Sequence, residues 1–245
     1  MKRLLVCGRF DGDPHSLEHL QTFTQRHQPD AILIAGLWHG SNGYDRKMPA
    51  EQKLFYRELF ETVKRTDRIA IILPGEHDVP MADFMRLILM EERNNAKLHC
   101  VHATHHVEQN VLFAGLGGDL NEVIDTWNDR LRCSRSSADY FLRDVANARV
   151  PYTVLMLTTP ILGSIGDGLH SDIAGDTQLA SEIINSTHPV LAVVAGETSN
   201  RNCKRLGTSR VINPGRISEG SATIVDLTDL DRVEFITNEE TQLVS

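Results

Sequence analysis

Four of five short loops that directly follow apolar segments carry acidic, histidine or arginine side chains. One loop, GRFDGDPH, contains Arg9 and Asp11, and another, PGEHD, contains Glu76, His77 and Asp78. Side chains of these types can act as general acid or base, hold a cation through carboxylate oxygens, or bind an oxyanion through the guanidinium fork. The five loops are GRFDGDPH (8–15), GLWHG (36–40), PGEHD (74–78), TTPILG (158–163) and GETSN (196–200).

Short β-branched segments that alternate with amphipathic helical patterns must position these loops. Ligand-binding groups in α/β folds gather where loops leave the carboxyl ends of the strands, and all five loops occupy such positions. The alternation predicts an α/β domain with two mixed sheets face to face and helices outside. Strands are predicted at 3–8, 31–36, 69–73, 111–116, 152–158, 190–196, 209–213, 221–227 and 232–236.

Five helices are predicted between these strands from their caps and their apolar periodicity. Ser16 is expected to cap the first helix, and Pro49 suits the first turn of the second. The third is predicted over 81–93, and Ser136 with Asp139 forms a capping-box-like start of the fourth. The fifth is predicted over 176–185.

Composition excludes several classes of protein. The chain has 245 residues and a net charge of −8, which argues against sequence-independent binding to nucleic acid or to an anionic membrane. The longest apolar segment, VLAVVAG (190–196), is too short to span a bilayer, and MKRLLVCGRF does not have the form of a signal peptide. We therefore expect a cytoplasmic protein with one domain over 1–237 and a polar tail, 238–245, that frays.

The four cysteines are isolated in the sequence, and no CxxC spacing occurs. This usage predicts neither a disulfide framework nor a four-cysteine zinc site.

The order and spacing of the five loops resemble the calcineurin-like metallophosphoesterase superfamily. AGLGGDL (114–120) and VINPGR (211–216), the latter followed by SATIVDL, extend the resemblance over nearly the whole chain. The resemblance implies a four-layer α-β-β-α sandwich of two mixed sheets flanked by helices. It also implies two metal ions that activate a bridging hydroxide for attack on a phosphoester. The family takes its ligands from Asp-x-His, Gly-Asp, Gly-Asn-His-Asp, a lone His and Gly-His-x-His.

Carried over residue by residue, this chain departs from the family at every ligand position. Only His77 and Asp78 match; in the family that histidine is a general acid or phosphate contact rather than a ligand, so the pair is predicted to be a vestige of the catalytic machinery. The departing positions hold Arg9, Asp11, Leu37, Glu76, Thr158, Glu197 and Ser199.

These departures predict loss of the dinuclear centre and of phosphoesterase activity. Leu37 supplies no lone pair at the bridging position, and Arg9 places a permanent cation where a ligand should lie. Its guanidinium can replace the metal as the counter-charge for nearby carboxylates. We expect a pseudoenzyme that serves as a binding or interaction module for a protein or a small anion. The expected ligand contacts are Arg9, Glu76, His77 and Glu197.

Two enzymatic alternatives remain open at this point. An active phosphoesterase with an altered ligand set would use His77 as acid and a single ion, Mn²⁺ or Mg²⁺, held by Asp11, Glu76 and Glu197. Metal-free acid–base hydrolysis would use Glu76 or Glu197 with His77. The Asp-x-His string at Asp13–His15 falls in a predicted surface loop, and His39 follows the bridging position in the same way.

Two further features invite a functional interpretation. The segment LHCVHATHHV (98–107) is rich in histidine, but on a strand His99 and His105 point away from Cys100 and His102, so a solvated edge or turn is favoured over a metal site. Trp38 is either a stacking surface in the cleft or a core aromatic beside Leu37, and the core role is favoured.

Overall fold

Two mixed β-sheets packed face to face, with helices on both outer sides, make up the molecule in a computed structural model. The structure describes residues 1–38, 48–121, 131–161, 176–187, 189–195, 201–238 and 241–244. In chain order the strands are β1 (Arg3–Cys7), β2 (Ala31–Ala35), β3 (Ile69–Leu73), β4 (Leu98–Cys100), β5 (Thr104–Glu108), β6 (Val111–Leu116), β7 (Asp119–Asn121), β8 (Arg132–Ser134), β9 (Tyr152–Leu157), β10 (Leu191–Val194), β11 (Asn202–Leu206), β12 (Ser209–Asn213), β13 (Ser221–Asp226), β14 (Asp229–Thr237) and β15 (Thr241–Val244). The helices are α1 (His15–His27), α2 (Ala50–Thr66), α3 (Met81–Asn94), α4 (Arg135–Asn147) and α5 (Thr177–Glu182), and α5 continues into a π-helical turn, Ile183–Thr187.

Each of the two large sheets combines parallel and antiparallel strands, and β7 pairs parallel with β8 in a separate two-stranded sheet. Within the described residues, the seven-stranded sheet has the order β15-β14-β13-β1-β2-β3-β4, and the six-stranded sheet has the order β11-β12-β10-β9-β6-β5. Strands β1 to β4 run parallel, as do β6, β9, β10 and β12, so the carboxyl ends of these strands lie along one edge of each sheet. The predicted α/β sandwich of two mixed sheets is confirmed.

Alternation along the central strands explains the four layers. In β1, Leu4 and Val6 face the core between the sheets, while Leu5 and Cys7 face the helices. All four side chains are fully buried, and burial of an aliphatic side chain of this size stabilises the fold by about 1.5–3 kcal/mol. A central parallel strand covered on both faces therefore has a continuous apolar sequence. Helices α4 and α5 cover the outer face of the six-stranded sheet in a third apolar cluster.

Helix starts differ from the predictions at two places. Helix α1 begins at His15, and Ser16 lies buried inside its first turn, where its hydroxyl donates to the Asp13 carbonyl instead of capping. Helix α4 is capped by Ser134, whose side chain accepts from the Ser137 amide, two residues before the predicted cap. In both cases a neighbouring residue satisfies the free amides of the first turn, so the cap shifts along the chain.

Strands that lack a long apolar run were not predicted. Strands β4, β7 and β8 contain three residues each, and β5, with sequence THHVE, is mostly polar. Strand β15 falls in the segment predicted to fray, yet it pairs antiparallel with β14. Strand β4 ends the seven-stranded sheet; its Cys100 amide donates to the Glu92 carboxylate of α3 at 2.5 Å.

Candidate functional site

Close backbone approaches bring three of the predicted loops together at the carboxyl edge of the seven-stranded sheet. A Cβ atom added to Gly36 would lie 3.5 Å from Arg9 Cγ, and one added to Gly75 would lie 2.9 Å from the Gly36 Cα atom. A Cβ on Gly117 would lie 2.2 Å from the Pro74 carbonyl oxygen, so the loop after β6 reaches the loop after β3. Glycine at 75 and 117 therefore lets the two sheets contribute to one site.

Arg9 lies at the end of β1 in a nearly buried ion pair. Its side chain is 8% exposed, and its Nε donates to Asp11 Oδ1 at 3.1 Å. Asp11 has a positive φ of 55°, and its Oδ2 accepts from the Ser218 hydroxyl at 2.7 Å. The guanidinium at the predicted first ligand position is thus matched by a carboxylate from its own loop, and both oxygens of that carboxylate are engaged.

Leu37 lies in the apolar core between the seven-stranded sheet and its helices. The residue is fully buried and belongs to the same cluster as Phe10 and Phe55. Its backbone amide donates to Asp78 Oδ2 at 3.0 Å. The residue at the predicted bridging position contributes a hydrocarbon side chain to the core, and its carbonyl accepts from the Gly12 amide at 3.1 Å.

Asp78 fastens two loops to a helix instead of lining a cleft. It is fully buried, and its carboxylate accepts from the amides of Leu37 and Gly75, the latter at 2.6 Å, and from the Tyr56 hydroxyl. Burial raises the pKa of Asp78 to about 6, although the hydrogen bonds from Tyr56 and the two amides oppose that shift. The arrangement makes Asp78 a positioning residue.

Tyr56 and Gln52 complete this network, and sequence reasoning missed both of them. Gln52 Nε2 donates to the Tyr56 hydroxyl oxygen at 2.6 Å and to the His77 carbonyl at 3.4 Å. Both side chains are fully buried on α2, one helical turn apart. Two hydrogen-bonding side chains on the apolar face of an amphipathic helix are the signal that could have located the network.

Glu76 and His77 form a partly buried pair. His77 Nε2 lies 2.9 Å from Glu76 Oε1, and the two side chains are 8% and 13% exposed respectively. The Glu76 carbonyl accepts from the Leu131 amide at 2.6 Å, which ties this loop to the segment before β8. The pair therefore brings a carboxylate oxygen next to the imidazole of the residue predicted to be the family's general acid.

Thr158 lies across from these loops, at the end of β9 in the six-stranded sheet. Its hydroxyl donates to the Gly118 carbonyl at 3.0 Å, and its amide donates to the Leu116 carbonyl at 3.3 Å. The Thr159 hydroxyl donates to the same Gly118 oxygen at 3.0 Å. The residue at the predicted lone-histidine position therefore secures a loop between strands.

The family described as "Metallophosphoesterase, calcineurin superfamily" matches residues 1–237. This match covers nearly the whole chain, including the loops whose geometry is given above. The chain belongs to this family.

Solved structures share the metallophosphoesterase fold. One crystal structure aligns with a TM-score of 0.84 at 20% identity and covers 97% of this chain and 99% of its own. TT1561 of Thermus thermophilus aligns at 0.77 and 22%, with 96% and 98% covered. GAP50, described as the anchor in the inner membrane complex of Plasmodium, aligns at 0.57 and 12%, with 99% and 88% covered. None of the curated proteins matches the chain.

The described residues at the predicted ligand positions do not fit the dinuclear centre of a metallophosphoesterase. Leu37 offers no donor, and Arg9 brings a cation that is already paired with Asp11. Within the parts of the chain that the structure describes, no group of three or more His, Cys, Asp and Glu side chains could hold a metal ion. The single-ion alternative needs Asp11 and Glu76 to share one ion. In the structure Asp11 contacts Arg9 and Ser218, whereas Glu76 contacts His77.

Some predicted site residues lie outside the described residues, and the Asp13–His15 string lies at the start of α1. Glu197, Ser199 and His39 fall outside them. Asp13 precedes α1, where its Oδ1 accepts from the His15 amide at 3.0 Å, and the exposed His15 ring lies 3.6 Å from Glu18.

Trp38 packs against the core rather than standing free. Its ring lies over Gly12, where an added Cβ would approach it to 2.4 Å, and its centroid lies 6.1 Å from that of Phe55.

The histidine-rich segment spreads its side chains over several environments. The rings of His99 and His106 stack with centroids 3.5 Å apart, whereas His102 Nδ1 accepts from the Gly117 amide and His105 lies 3.8 Å from Asp144. Burial lowers the pKa of His102.

Among the described helices of this family member, none is long and apolar enough to cross a membrane.

Proposed function

We propose that this metallophosphoesterase-family protein has lost the dinuclear metal centre and the phosphoesterase activity and acts as a binding or interaction module. The observation that carries the proposal is the nearly buried Arg9–Asp11 pair at the first ligand position. In the carry-over predicted from the sequence, this guanidinium and its carboxylate partner stand where a family enzyme would present an aspartate to a dication. The buried Leu37 at the bridging position supports the same conclusion.

The size of the repulsion between a dication and the Arg9 guanidinium supports the loss of the metal centre. A divalent ion about 4 Å from a guanidinium would be repelled by about 8 kcal/mol at an effective dielectric constant of about 20. The chain would have to offset this repulsion without the carboxylate that bridges both ions in the family. An arginine whose Nε is already bound to Asp11 stabilises the loops without any metal.

The module would bind through the surface around the degenerate site. Arg9 and His77 are the proposed contacts for a small anion, with Glu76 orienting His77 from 2.9 Å. Both residues are mostly buried, so an anion would have to compete with Asp11 for Arg9. A protein partner at the rim is the other proposed occupant, and GAP50, described as an anchor, offers a precedent for such a role on this fold.

An active phosphoesterase with an altered ligand set is the second candidate. Two observations favour it: the family consists generally of hydrolases, and His77 remains at the position of the family's general acid, beside a carboxylate. This enzyme would hold one Mn²⁺ or Mg²⁺ ion with Asp11, Glu76 and Glu197.

One assay separates the two candidates. The full chain is purified without a histidine tag, supplied with Mn²⁺, and tested on an aryl phosphodiester and analysed for bound metal, alongside His77→Ala. We expect no turnover above the blank and no stoichiometric metal. Turnover that His77→Ala abolishes, together with about one bound ion per chain, would reject the pseudoenzyme. The Arg9→Asp/Leu37→Asp variant is the matched test for metal binding, since it restores two family ligands.

A further inference from the structure

A polar groove lies between the C-terminal turns of α1 and α2, away from the candidate site. Its volume is about 280 Å³, and three glutamines, two threonines and two arginines line it. Helix α1 ends just before β2 and α2 ends just before β3, so the groove lies at the amino edge of these strands. A five-residue strand, about 16 Å long, separates that edge from the loops that carry Arg9 and His77.

Hydrogen bonds fix one arginine across this groove. Arg68 Nη2 donates to the side-chain oxygen of Gln28, and Gln28 Nε2 donates to the Gln25 carbonyl at 2.7 Å. The Arg68 amide donates to the Thr66 hydroxyl oxygen at 3.3 Å. The guanidinium from the α2 side is therefore held against the cap of α1 before any ligand arrives, which lowers the entropic cost of binding.

The arginines of the groove have no contacting carboxylate in the described part of the chain. Neither Arg65 nor Arg68 takes part in an ion pair there, although the Arg68 guanidinium is close enough to contribute to the lowered pKa of Asp30 and of Asp67. Asp67 pairs with Lys97 at 2.6 Å, and the Asp30 carboxylate accepts from the amides of Lys2 and Arg3. In a chain with a net charge of −8, this places two guanidinium groups at one small cavity without a carboxylate bound to either.

We propose that this groove is a binding site for a small oxyanion with at least two charged oxygens, of the phosphate or carboxylate class. A guanidinium presents paired N–H groups that match such oxygens, and the glutamine amides can bind the rest of a polar ligand. The C-terminal dipoles of α1 and α2, each about half a charge, oppose the anion but are smaller than two full positive charges.

Chemical-shift titration of the ¹⁵N-labelled full chain tests the proposal. Pyrophosphate and citrate are added separately, and sodium chloride of matched ionic strength is the reference. We expect saturable shifts at the amides of Gln25, Gln28 and Arg68 with one or both ligands. Saturation by pyrophosphate alone assigns the phosphate class, and saturation by citrate alone assigns the carboxylate class.

Matched variants decide whether the two arginines are responsible. Arg65→Gln/Arg68→Gln should weaken binding at least tenfold, whereas Arg57→Gln/Arg93→Gln removes the same charge from exposed helical positions and should leave it unchanged. The single variant Arg65→Gln, at an exposed position, keeps the test valid if the double variant fails to fold. Equal binding in all variants, or shifts that match those in sodium chloride, would overturn the proposal. The amides of Gly75 and His77 report separately on any anion at the candidate site, so the groove can fail or stand independently of the proposed function.

Discussion

Replacing Asp78 by asparagine should remove a large part of the pH dependence of stability between pH 4 and pH 7. Burial raises the pKa of Asp78 from 3.8 to about 6 in the folded protein, so the folded state holds this proton more tightly than the unfolded state. Stability from this group is fully present below pH 3.8 and is lost as the pH rises through about 6. A shift of roughly two pKa units corresponds to about 3 kcal/mol.

The Asp78→Asn side chain can keep the hydrogen bonds from Leu37 and Gly75 through its oxygen, but it does not ionise. Urea unfolding followed by circular dichroism at pH 4, 5, 6 and 7 gives the free energy of unfolding for both proteins. Between pH 4 and pH 7 the wild type should lose about 2 kcal/mol relative to the variant, because the unfolded chain is already partly ionised at pH 4.

Asp30→Asn is the matched control, because the same chemical change acts there with the opposite sign. The amide of Arg3 lowers the pKa of Asp30, so that carboxylate adds stability that is lost as the pH falls. An unchanged slope in Asp78→Asn would refute the reasoning, because Asp78 would then ionise as it does in water.

Three other substitutions test the loop geometry by urea unfolding at pH 7. Tyr56→Phe removes a hydroxyl donor from buried Asp78 and should cost about 1–3 kcal/mol, whereas the same change at exposed Tyr140 should cost less than about 0.5 kcal/mol; equal costs would contradict the network. Gly75→Ala places a Cβ 2.9 Å from the Gly36 Cα atom and should lower the free energy of unfolding by about 1–3 kcal/mol. A variant as stable as the wild type would contradict this close approach. Arg9→Met leaves Asp11 without its guanidinium partner and should lower the free energy of unfolding by about 2–4 kcal/mol. Asp11→Asn and the double variant complete a double-mutant cycle. A double variant whose cost equals the sum of the two single costs would show that Arg9 and Asp11 are not coupled.

The strands at the centre of each sheet could be predicted because burial on both faces selects uninterrupted apolar runs. AILIA of β2 and VLFAGL of β6 are examples, and both strands are buried along their whole length. Strand β5 could not be recognised, because THHVE lies at a sheet edge and has no buried face that would impose alternation.

The meeting of the loops was predictable from strand order, whereas the network that secures them was not. Loops after parallel strands share an edge, and Arg9, Gly36 and Gly75 do approach one another there. Tyr56 and Asp78 are 22 positions apart, and their contact depends on how α2 packs over the sheet. No local pattern encodes that packing, so only the polar side chains on the buried face of α2 hinted at it.

The hydrogen bond from the Cys100 amide to the Glu92 carboxylate bears on self-association in concentrated solution. Strand β4 is the terminal strand of its sheet, and an outer strand with open amides invites other chains to add to it. Because the carboxylate of α3 already occupies this amide, an incoming strand finds a negative charge in place of a vacant donor. This contact therefore disfavours edge-to-edge pairing of two molecules at β4.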